Sequence, residues 1–168
     1  ERLHDLHELA GSLDVPQAVE AHHRLRIAAK KLRYTMESCA AAYEGALDEA
    51  VQAAKTLQTL LGDVHDCDVW LEHLAQFRAD ERARAEAFYG TARPFARLAP
   101  GIDHLETLRT DLRRARFAEA ADHWGRISRD GVWRRLDEAI RSRMPPARST
   151  AHGGGADAPS GTAGDEHA

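Results

Sequence analysis

The sequence predicts an all-α fold, a helical bundle of about four main helices. Three observations carry this expectation. Apolar residues recur at three- and four-residue spacing almost from end to end. No sustained alternation and few β-branched runs offer a strand. Glycines and prolines stand where such helices should start and stop. With 168 residues, 43% of them hydrophobic and 30% charged, the chain is long enough to enclose one real core.

The elements follow in order. A short amphipathic helix is expected over about residues 1–12, stopping at Gly11 or Ser12. Asp14 and Pro16 then open a helix running from Pro16 to about Tyr43, with Gly45 as its stop. A long third helix over about 46–80 carries one seam of Leu57, Leu60, Val64, Leu71 and Leu74. Beside it runs a stripe of Leu47, Val51, Ala54 and Leu61. Gly62 interrupts this helix at a cost of up to about 1 kcal/mol relative to Ala, which suits a kink or a close helix crossing.

Residues 81–89 read as a charged continuation, and Gly90, Pro94 and Pro100-Gly101 as a punctuated connector. A further helix fits about 102–124, its apolar face formed by Ile102, Leu105, Leu108, Leu112 and Ala115, with Trp124 near its end. A last helix fits about 131–143. Trp70, Trp124 and Trp133 are assigned to packing in the core or at its edge. From Pro145 the chain has no apolar face to bury, so a bundle over 1–144 and a disordered tail over 145–168 are expected.

A net charge of −4 argues against bulk electrostatic binding to nucleic acid, so any anion recognition must be local. No stretch approaches the roughly 20 apolar residues of a membrane span, and no signal-peptide pattern opens the chain. A start at Glu1 rather than Met suggests a processed or excised segment. Two lone thiols, Cys39 and Cys67, suit a reducing, cytoplasmic setting better than a disulfide scaffold.

The most informative stretch is His23 to Tyr34: five permanent cations, one histidine and no acid. On a helix, His23, Arg26, Lys30 and Arg33 fall within roughly 80° of arc, opposite Leu25, Ala29, Leu32 and Met36. Arg24 and Lys31 flank this stripe a quarter-turn away. Like charges three and four residues apart repel, so the arrangement needs a polyanion or buried acids to offset it. A second motif lies in the third helix, where Gln58, Leu61, His65 and Asp68 follow one another at i, i+3, i+7 and i+10. Asp68 or Asp63 is expected to pair with Arg26 or Arg33, with His65 facing the same space.

Together, HRLRIAAKKLRYTME and LQTLLGDVHDCDVWLEHL resemble the two hallmark segments of the CHAD family, the histidine-centred α-helical domain. The likeness covers H-x-x-R-x-x-x-K-x-x-R-Y and L-Q-x-L-L-G-D-x-H-D-x-D-V within about residues 14–78. Residues 102–128, with Arg109, Arg113, Arg114, Arg116, Phe117 and Trp124, are similar to the family's closing helix more loosely.

The resemblance implies a non-catalytic, cofactor-free module that binds inorganic polyphosphate in a basic, helix-lined groove. It also implies a place in phosphate metabolism or at polyphosphate granules. His23, Arg26, Lys30 and Arg33 would touch phosphate oxygens, supported by Arg24, Lys31 and His65. Tyr34 would pack, and Gln58, Asp63 and Asp68 would organise the groove; Gly62 and Asp66 also match. The family domain is a tandem of two related bundles, and this chain resembles only the second. It is therefore expected to be an excised half or a short member that self-associates, most simply as a symmetric dimer.

The chemistry suits such a ligand. Polyphosphate offers a line of anionic oxygens and no side groups to read. The His23–Tyr34 helix is roughly 16 Å long, Arg presents a planar fork and Lys a point charge.

Rival readings are weaker. Glu20-x-x-His23 has the spacing of di-iron bundles, with His22, His65, Asp68 and His73 as further candidates. The only other such pair, Glu1-x-x-His4, lacks supporting glutamates, and Arg26 and Lys30 would repel a metal ion. Asp63, Asp66 and Asp68 could hold Mg²⁺, but Asp68 points away from Asp63. No Gly-rich phosphate loop, G-x-S-x-G or zinc-type spacing supports catalysis. Tyr34 is the only aromatic residue of the stripe, too few for RNA stacking. A helical adaptor for an acidic protein partner stands as the alternative.

Overall fold

The computed structural model describes residues 1–143, which contain helices and no strand. The expected disordered tail over 145–168 lies outside the described residues. Five α-helices follow in order: α1 Arg2–Ala10, α2 Val19–Cys39, α3 Asp48–Tyr89, α4 Ala99–Arg129 and α5 Val132–Arg143. Short 3₁₀ turns occupy Gly11–Asp14, Ala40–Tyr43 and Arg93–Arg97.

Several boundaries differ from expectation. Pro16 lies in the turn before α2, which begins three residues later; the turn is closed by the Ala18 N–H donating to Val15 O at 3.0 Å. At the other end, Glu44 (φ 50°) and Gly45 (φ 86°) both take left-handed backbone and reverse the chain into α3. Helix α3 is a single 42-residue rod that Gly62 does not break, and it takes in residues 81–89 as the expected continuation. Packing against α2 and α4 on two sides offsets what the glycine costs. Pro100 and Gly101 belong to the first turn of α4 rather than to a connector. Proline is tolerated there because its missing N–H would have had no helical partner. The same helix runs on to Arg129, so Trp124 sits well inside it.

Helix α3 is the spine, with α2 and α4 antiparallel along it, α1 on α2, and α5 against α3 and α4. Leu6, Leu25, Leu47, Leu57, Leu61, Val64 and Leu136 are fully buried in this core. The expected α3 seam and stripe therefore lie largely inside, with Leu60, Leu71 and Val51 half-buried.

The apolar face expected on α4 does not. Ile102 is buried, but Leu105, Leu108 and Leu112 are 45%, 51% and 39% exposed. Helix α4 instead buries Phe117, Ala120, His123 and Ile127. The reason is length. Arg26 lies against Gly62 and His23 against His65, so α2 runs out at Val19, level with about residue 69 of α3. Beyond that point α3 and α4 continue as a two-helix arm, held by Arg78, which donates to Asp103 (2.5 Å) and Glu106 (2.9 Å).

Candidate functional site

The α2–α3 seam gathers most of the residues singled out in the sequence. His23, Arg26 and Arg33 project from α2 and are half-buried, while Lys30 is exposed. From α3, Gln58, Gly62 and His65 face them. The imidazoles of His23 and His65 have centroids 4.5 Å apart. A Cβ placed on Gly62 would meet Arg26 Nε at 3.5 Å, an ordinary contact, so the guanidinium lies directly against this turn of α3.

Buried polar atoms here lack partners. His23 Nδ1, Arg26 Nε, Arg33 Nε and Gln58 Oε1 are all out of contact with solvent and without a hydrogen bond. Buried donors are normally satisfied, and leaving one unpaired costs about 1–3 kcal/mol. The two arginine Nε–H groups are unpaired donors of the kind an acceptor-rich ligand draws on, whereas Gln58 Oε1 is an acceptor and calls for a donor instead. Arg33 has one carboxylate nearby, Glu37 at 3.7 Å, on the same helix. Among the described residues no ion pair engages Arg26 or Lys30.

The expected acid partners are elsewhere. Asp68 accepts from Arg113 Nε of α4 at 2.5 Å, and Asp63 pairs with Arg116 of α4 at 3.3 Å. Both aspartates lie on the α4 side of α3, out of reach of Arg26 and Arg33. Arg113 also donates to Pro16 O at 2.8 Å and so ties the turn before α2 to α4. The aspartates therefore neutralise α4 and leave the charge of the seam intact.

Two further assignments change. Arg24 and Lys31 do not join the seam: they line a cleft between α1 and α2 together with Arg2, Asp5 and Glu8. Tyr34 does not pack in the core; it is 48% exposed, and the Arg33 guanidinium lies over its ring at 4.5 Å. Of the tryptophans, Trp133 is buried and Trp124 packs beside it, whereas Trp70 is half exposed beneath Arg109.

Two residues carry roles that the sequence did not single out, and a third, Lys55, shares the face of α3 that meets α2. His22, mentioned only as a conceivable metal ligand, is a buried structural group. Its Nε2 donates to Ser12 O (3.0 Å) and Val15 O (3.1 Å), and its ring lies 4.8 Å from Phe117. His123 donates through Nε2 to Ala53 O at 3.0 Å and accepts at Nδ1 from Arg126. Lys55 sits seven residues before Gly62, on the same face of α3, and level with Arg33. That i, i+7 spacing was the available signal.

Among the described residues no three His, Cys, Asp or Glu side chains converge as a metal site. Glu20, His22, His23, His65, Asp68 and His73 are thus not assembled into one, nor are Asp63, Asp66 and Asp68. Cys67 and Cys39 are both free thiols; burial pushes Cys67 above the usual thiol range. No helix of the described residues is long and apolar enough to cross a membrane.

Residues 1–75 match the family model of the CHAD domain. Over that stretch the chain is similar to CHAD domains. The match takes in α1, α2 and α3 as far as Ala75, and so both halves of the cationic seam. It begins earlier than the hallmark motifs, at α1, and stops short of α4, whose looser likeness it does not cover. No curated protein and no solved structure matched the chain. CHAD domains are binding domains associated with polyphosphate.

Proposed function

We propose that the chain binds inorganic polyphosphate, without turning it over, along the α2–α3 seam. One observation supports this above the rest: among the described residues Arg26 and Lys30 have no carboxylate partner, beside buried and unsatisfied His23 Nδ1, Arg26 Nε and Arg33 Nε. A phosphate chain would neutralise the exposed Lys30 ammonium and the half-buried Arg26 and Arg33 guanidinium groups from the solvent side of the seam. His23, Arg26, Lys30 and Arg33 contact the oxygens, His65 and Gln58 border them, and Lys55 extends the row. Arg24 and Lys31 add positive potential from the neighbouring cleft. Asp63 and Asp68 act indirectly, by holding Arg116 and Arg113 on α4. The helices act as one binding module, and polyphosphate granules in the cytoplasm are where it would operate.

Titration of end-labelled polyphosphate, followed by anisotropy across a range of salt, tests this. Binding should weaken with salt at a log–log slope of about −0.7 per phosphate neutralised, taking single-stranded nucleic acid as the analogy. Arg26→Ala and Lys30→Ala should each flatten the slope by about one contact. An unchanged slope in both variants removes the seam from the site. Saturable binding of an acidic peptide with none of polyphosphate would favour the adaptor reading instead.

A further inference from the structure

The two-helix arm presents an apolar row with no covering element among the described residues. Leu98, which caps α4, and Leu105 and Leu112 within it recur at seven-residue spacing, with Leu108 between the last two, and all four are at least 39% exposed. On α3, Trp70 and Phe77 share the same spacing and are 49% and 44% exposed. The Arg113–Asp68 and Arg78–Glu106 contacts set the register, placing Trp70 about level with Leu112 and Phe77 with Leu105. The Arg109 guanidinium over Trp70, at 5.0 Å, shows that this flank of α3 adjoins α4. Ala121 and Gly125 of α4 turn toward α1, roughly half a turn away from the leucines. Contiguous apolar surface of this kind marks an interface.

Residues 144–168 hold one methionine, Met144, and no leucine, isoleucine, valine, phenylalanine, tyrosine or tryptophan, so their composition offers little with which to cover such a row. Charge points to the occupant. At the start of the row, Arg97 in the 3₁₀ turn that leads into α4 and His104 in the early turns of α4 are in no ion pair among the described residues. The C-terminal end carries Asp111 and Glu119, engaged only in exposed i, i+3 pairs with Arg114 and Arg116. A helix with this polarity is complementary to itself when reversed.

We infer that the arm is a homodimer interface, with α4 of one copy antiparallel to α4 of its partner about a two-fold axis near Thr107. In that register Leu105 meets Leu108 of the other copy twice over. Arg97 then stands opposite Glu119, and His104 opposite Asp111, at each end. An isologous contact requires this reciprocity, and four helices replace two around the leucines. The inference does not depend on the polyphosphate reading.

Sedimentation velocity on the chain from about 1 to about 100 µM should show a reversible dimer, the range in which a modest helical interface associates. Leu108→Glu should leave a monomer with an unchanged far-ultraviolet circular dichroism spectrum, because the residue is half exposed. Arg97→Glu should weaken the dimer about tenfold, and adding Glu119→Arg should restore it. A monomer at every concentration overturns the proposal. So does a dimer indifferent to both Leu108→Glu and Leu105→Glu.

Discussion

His23 on α2 and His65 on α3 face each other across the seam, ring centroids 4.5 Å apart and planes inclined by 45°. Neither ring has an acid partner within its own helix turn, and His23 Nδ1 is buried without a hydrogen bond. The two residues should therefore act on a bound anion as a unit. In a double-mutant cycle for polyphosphate affinity, His23→Ala and His65→Ala should couple by about 0.5–3 kcal/mol. Strict additivity, measured by titration at fixed salt, would separate them.

Gly62 offers a second test. Alanine there should raise stability by up to about 1 kcal/mol through helix propensity. Its Cβ makes only ordinary contact with Arg26 Nε, at 3.5 Å. The added methyl nonetheless occupies the crossing where the guanidinium lies. A higher melting temperature with weaker polyphosphate binding is expected, both from the same preparation.

Lys30→Glu should separate stability from binding more sharply. It replaces a repulsive neighbour of Arg26 and Arg33 with an attractive one, at i−4 and i+3. Each such pair contributes about 0.2–0.5 kcal/mol in favour of the helix. Urea denaturation should show a small gain, while the anion affinity falls. A loss of both would mean that Lys30 supports the fold.

Asp68→Asn examines the tie between α3 and α4. The Asp68 and Arg113 side chains are each 14% exposed, and Arg113 reaches Pro16 O as well. Removing the carboxylate should cost about 1–3 kcal/mol in chemical denaturation, since Arg113 is left partly buried and under-paired. Polyphosphate binding at saturating stability should change far less than in Arg26→Ala.

The His7 imidazole gives the fold a pH dependence. Partial desolvation beside Trp124 and Trp133, whose rings lie 5.4 and 6.4 Å away, holds this otherwise exposed imidazole below its usual value, and the charge of His4 adds to this. The unfolded chain thus binds this proton more readily than the folded one. The contribution to stability is complete above about pH 6.5 and is lost as the pH falls through the lower folded value. His7→Gln should flatten the decline in melting temperature below pH 6.5.

Much of this molecule was legible in the chain. Helical periodicity and the Gly45 and Gly90 stops gave five helices nearly in place, because a helix forms from neighbours within one or two turns. The stripe of His23, Arg26, Lys30 and Arg33, and its pairing with the Gln58–His65 helix, were visible for the same local reason. Which partner each charge takes was not. Asp63 and Asp68 bind Arg116 and Arg113, about 45–53 residues away, because α4 and not α2 packs on that side of α3. Nor could periodicity tell a covered face from a bare one. The Leu105–Leu112 row has the spacing of a core, yet α2 ends before it can reach. Local sequence decides which face of a helix is apolar or charged, whereas the lengths and crossings of distant helices decide what meets that face.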